Sequence, residues 1–134
     1  MKNLIYLFLS ILIVSCAAKP MDVNEAKRVV EELIVKIDQE DFAAVEQLYS
    51  TEFNASEPME TKKEKLLQLK RALGKLKNME FISSENVAEF GQPAKVILEY
   101  KVFHSKITSI ETFSVVENEG GYKIGSHLVK SEGN

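Results

Sequence analysis

The chain has 134 residues, a formal net charge of −3 and a single cysteine. That length fits one domain, the lone cysteine excludes an internal disulfide, and the negative balance argues against nucleic acid as a general partner. With 45% hydrophobic residues, the fold is expected to rest on packing without covalent staples.

Lys2 is followed by Leu4-Ile5-Tyr6-Leu7-Phe8-Leu9-Ser10-Ile11-Leu12-Ile13-Val14, an uncharged run that ends before Lys19 and Pro20. A positive start and a short apolar stretch mark a secretory signal, and the stretch falls short of the ~20 residues a membrane span needs. Ile13-Val14-Ser15-Cys16 resembles the bacterial lipobox, with an aliphatic residue at minus three and a small one at minus one. The resemblance implies cleavage before Cys16 and diacylglycerol on its sulfur. The expected organisation is a signal peptide over 1–15, a lipidated tether over 16–21, a domain over 22–130 and a tail over 131–134. The expected location is the bacterial cell envelope. Ala17 lacks the acidic character that resembles inner-membrane retention signals, so the outer membrane is favoured over the inner.

From Asp22, Val23, Ala26, Val30, Leu33, Ile34 and Ile37 recur at three- and four-residue steps opposite charged positions, predicting an amphipathic helix. Asp41 is the expected cap of a second helix over 42–49. A loop is expected over 50–59. Asn54-Ala55-Ser56 matches a glycosylation sequon but is taken as chance in a bacterial lipoprotein. Thr61 with Glu64 forms a capping-box pattern ahead of a leucine stripe, Leu66, Leu69, Leu73 and Leu76, with Gly74 weakening the last turn.

Charge is unevenly placed along these helices. Asp22 to Glu60 carries eleven acids against Lys27, Arg28 and Lys36, whereas Thr61 to Lys77 carries seven bases against Glu64. The basic helix either rests on anionic headgroups or is a solvated outer face balancing its acidic neighbours, and the solvated face is preferred.

After Asn78 the pattern turns to alternation and β-branched runs. Strands are predicted over 79–90, 94–104, 108–117 and 122–130, joined by short turns into an antiparallel meander. Helices followed by a sheet make an α+β domain. A two-residue turn at Ser105-Lys106 pairs residues whose numbers sum to 211, setting Val96 opposite Val115, Leu98 opposite Phe113 and Tyr100 opposite Glu111. One face then gathers Val96, Leu98, Tyr100, Val102, Phe113, Val115, Ile124 and Leu128 as the core.

Glu40-Asp41-Phe42-Ala43-Ala44-Val45, leading to Leu48-Tyr49-Ser50 and Phe53, resembles the early helix of nuclear transport factor 2-like domains. Glu111-Thr112-Phe113-Ser114-Val115-Val116 with Glu119-Gly120-Gly121-Tyr122-Lys123-Ile124 is similar to their closing hairpin. The resemblance implies a cone, in which N-terminal helices pack on a curved four-stranded antiparallel sheet, often around a pocket. Its members include isomerases, dehydratases and noncatalytic modules, so fold does not select function.

Glu111 is the acid on the expected core face, beside Tyr100. Desolvation would raise its pKa and suit it to acid–base work. The alternative is a rim position or slipped register with a partner such as Lys101, and this structural role is favoured. His104 near a hairpin end and His127 on the expected polar face have no metal-ligand spacing, so surface or rim roles, no metal and no cofactor are expected. The favoured function is a noncatalytic binding domain for a protein or small apolar ligand, as a monomer or homodimer, with the membrane as partner through the anchor. The alternative is an isomerase or dehydratase-like enzyme using Glu111 and Tyr100.

Overall fold

A computed structural model describes residues 19–132; the expected signal peptide, Cys16 and the last two residues of the tail lie outside them. Asp22 caps α1 (Val23–Asp38), its carboxylate accepting from the amides of Asn24 and Glu25, which relieves two of the orphan donors of a helix start. The buried stripe of α1 is Ala26, Val29, Val30, Leu33 and Ile34. Asp41 caps α2 (Phe42–Leu48) as expected, accepting from the Ala44 amide.

The expected loop after α2 contains a five-residue helix, α3 (Thr51–Ala55). It is too short to display a hydrophobic period, and buried Ser50 starts it by accepting from the Phe53 amide at 3.1 Å. The next helix, α4 (Met59–Leu73), begins two residues before the expected Thr61 cap. The proline-fixed backbone of Pro58 opens it, accepting from the amides of Thr61 and Lys62, so Thr61 lies inside the helix and the capping box does not form. Gly74 ends α4 with φ of 90°, so Leu76 belongs to the sheet and not to the leucine stripe. A Cβ at Gly74 would lie 2.1 Å from the Ser105 hydroxyl, so the glycine is required both by conformation and by space.

Four strands, β1 (Leu76–Val87), β2 (Lys95–His104), β3 (Thr108–Asn118) and β4 (Gly121–Ser131), form an antiparallel sheet in sequence order. β1 starts and ends three residues before the expected span. The β2–β3 register is the expected one throughout, from Lys95 opposite Val116 to Phe103 opposite Thr108. Irregularities in the ladders at Leu76/Asn78, Phe81/Ser83 and Ser114/Val115 bend the sheet around the helices. Its concave face buries Val96, Leu98, Tyr100, Val102, Phe113, Val115 and Ile124 against the α1 stripe and Val45. Each large apolar side chain so buried contributes about 1.5–3 kcal/mol.

Leu128 departs from the expected core face. Ser114 pairs with Ser126 but Val115 pairs with Ile124, so Gly125 is an extra residue in β4. The bulge inverts the alternation beyond it, leaving Leu128 55% exposed and turning His127 inward, its side chain 7% exposed.

Candidate site at the buried carboxylate

Glu111 projects from β3 into the core and is 4% exposed. An ionised carboxylate there needs donors for both oxygens. One oxygen, Oε1, accepts from the Ser109 hydroxyl at 2.9 Å and meets His104 Nε2 at 3.4 Å, while Oε2 meets His127 Nε2 at 2.7 Å. Strand periodicity supplies Ser109 two residues earlier on the same face, β2 supplies His104, and the Gly125 bulge supplies His127. The His127 ring also stacks on Phe113, centroids 4.3 Å apart, which fixes its plane.

Burial raises the Glu111 pKa, as expected from its position, but the hydrogen bonds from His104, His127 and Ser109 outweigh it and hold the carboxyl down to about 2. The carboxylate is therefore charged across the physiological range and has little basicity. The expectation of a raised pKa fails because it omitted both histidines, whose expected surface or rim roles are corrected here. Gly125 inside a strand was the available signal, since an interior glycine often marks a bulge.

Tyr100 lies opposite Glu111 in the ladder, yet its hydroxyl donates to Glu31 on α1 at 2.8 Å. Burial and then that carboxylate push its phenol well above the ordinary range. The two candidate residues share a face and a register but have separate hydrogen-bonding partners. The expected alternative partner of Glu111, Lys101, instead pairs with Glu132 at 3.0 Å.

Glu111, His104 and His127 line a cavity of about 30 Å³ with Asp38 and an apolar wall that includes Ile34, Leu66 and Leu73. That volume suits a water molecule, whereas pockets for organic ligands run from about 300 Å³ upward. His104 Nδ1 is buried without a hydrogen-bond partner. Among the described residues, no group of three or more His, Cys, Asp or Glu side chains is arranged to hold a metal ion.

The basic residues of α4 have divided roles. Lys62 is 5% exposed and donates to the carbonyls of Asn54 and Glu57 behind α3, at 3.2 and 2.7 Å. Lys70 reaches the Asp38 carbonyl at the end of α1 at 2.6 Å. Both place a cation where helix carbonyls lack partners. Arg71 and Lys75 stay exposed beside Lys106, near the β2–β3 turn.

No family model matches the chain, and no curated protein matches it in sequence. In structure it is similar to the beta subunit of the benzoate 1,2-dioxygenase from Burkholderia mallei, with a TM-score of 0.51 at 10% identity over 85% of this chain and 93% of that one. At that identity the likeness concerns the fold: an α+β nuclear transport factor 2-like cone, with helices on one face of a curved four-stranded antiparallel sheet.

Proposed function

We propose that this chain is an envelope lipoprotein, anchored through Cys16, whose cone is a noncatalytic binding module. The observation that carries the noncatalytic reading is the state of Glu111: ionised, buried and held by three donors beside a cavity of about 30 Å³. A general base needs a proton affinity near the working pH and room for substrate beside it, and Glu111 has neither. Tyr100, the other residue of an isomerase or dehydratase-like site, is engaged with Glu31. The interior chemistry is better suited to fixing the inner ends of β2, β3 and β4 together than to turnover. The solved neighbour is named as a subunit, which is compatible with a protein partner for this module.

Two experiments test the two halves of this reading. Metabolic labelling with a clickable fatty acid should mark the protein and fail to mark Cys16→Ala; equal labelling, or a mature size unchanged by the substitution, overturns the anchor. Side-chain NMR of His104 and His127 during titration with small carbonyl and hydroxyl compounds should show no saturable shift. A saturable shift accompanied by turnover that Glu111→Gln abolishes would restore the enzymatic reading.

A further inference from the structure

The described chain enters the domain at a fixed point. Met21 is buried, its amide donating to the Asn86 side chain at 3.2 Å, and the Asp22 amide donates to the Tyr122 hydroxyl at 2.7 Å. Asn86 is near the end of β1 and Tyr122 near the start of β4, so these bonds hold Met21 and Asp22 at the end of the sheet bearing the β1–β2 and β3–β4 turns. Lys19 and Pro20 share a groove with Pro93 and Ala94 at that same end. Cys16 lies five residues before Met21, a reach of at most about 17 Å. The ten residues of β2 run about 33 Å to the opposite end, where Arg71, Lys75 and Lys106 cluster. A lipid on Cys16 therefore holds the bilayer against the β1–β2 end and away from the basic cluster.

The connection from β1 to β2 at that end carries Phe90, which is 105% exposed. An aromatic ring that no described residue covers, within reach of an anchor, fits the water–lipid interface, where aromatic side chains are favoured. The charges that the strand ladder and the neighbouring grooves place at that end are Glu89, Glu117, Glu119 and Asp22 against Lys19, Lys95 and Lys123, a slight acidic excess that disfavours anionic headgroups. We infer that Phe90 at the tip of the β1–β2 connection is a second membrane contact, entering the interface of a zwitterionic bilayer beside the anchor and leaving the basic end of the domain pointing away. The inference rests on the lipid anchor proposed above.

The chain has no tryptophan, so a single one reports its own surroundings. Full-length, membrane-extracted Phe90→Trp and Ile107→Trp proteins, the second reporting from the β2–β3 turn, are reconstituted on phosphatidylethanolamine–phosphatidylcholine vesicles with brominated acyl chains. The expected result is a blue shift and bromine quenching at position 90 with neither at position 107. Replacing part of the phosphatidylethanolamine by phosphatidylglycerol should lower the quenching at position 90. Protein that carries lipid and floats with the vesicles, yet shows no more quenching at 90 than at 107, overturns the Phe90 contact and leaves the anchor standing. Protein whose mass shows no lipid on Cys16 overturns both. Quenching that rises with phosphatidylglycerol overturns the zwitterionic surface in favour of the basic helix.

Discussion

Replacing Glu111 by glutamine keeps the shape of the side chain and removes its charge, so the variant measures what the buried carboxylate contributes. The group has an ordinary pKa of 4.5 and a folded value of about 2. A lowered folded pKa stabilises the fold at pH values above the unfolded one, and the contribution fades as pH falls toward the folded one. At 1.36 kcal/mol per unit, the ionised form contributes about 3 kcal/mol at neutral pH, about half of which is lost near pH 3. Urea unfolding of the wild type and Glu111→Gln from pH 7 down to pH 2 gives the difference at each pH, in which the titration of groups that do not contact Glu111 cancels to first order. Wild type should be more stable by about 3 kcal/mol at pH 7, with the two curves converging as pH falls. A glutamine variant as stable as wild type at pH 7, or a difference that does not shrink with acid, would refute the view that the histidines and Ser109 stabilise a charged Glu111.

Further substitutions test the bulge and the helix end. Deleting Gly125 leaves Ile124 and His127 two positions apart on one face of a regular strand, so His127 should stay protected from imidazole-modifying reagents without the bulge; a His127 that becomes reactive would refute Gly125 as the extra residue. Leu128→Asp should change stability by no more than about 0.5 kcal/mol, because the side chain is exposed, whereas Phe113→Ala should cost about 3–5 kcal/mol; thermal denaturation compares them directly, and the reverse order would restore the simple alternation. Gly74→Ala should lower the urea midpoint, with a cost above about 1 kcal/mol from the left-handed backbone and the clash with Ser105; a neutral result would mean the α4–β1 junction differs from the one described.

Local chemistry made much of this architecture legible. Asp41 declares a helix start because a carboxylate one residue ahead of an apolar run has free backbone amides to accept from. The short Ser105-Lys106 turn determines the β2–β3 register, and with it the shared face of Tyr100 and Glu111, because strand pairing across a hairpin follows from turn length. The early start of α4 eluded the same approach, since Thr61 and Glu64 satisfy a capping pattern that Pro58 pre-empts two residues upstream.

The candidate site was legible only as one carboxylate on an apolar face. Which groups reach it depends on long-range geometry: His104 from a neighbouring strand, His127 through a one-residue bulge, and Glu31 drawing the Tyr100 hydroxyl to the helix layer. Sequence alone put Glu111 on the apolar face, because alternation sets the face, while a rim position or slipped register stayed open until the β2–β3 pairing and the burial of Glu111 excluded them. The tertiary structure decided that it would be charged, because the sign of its pKa shift depends on donors sixteen and seven residues away, and only folding brings them within hydrogen-bonding distance.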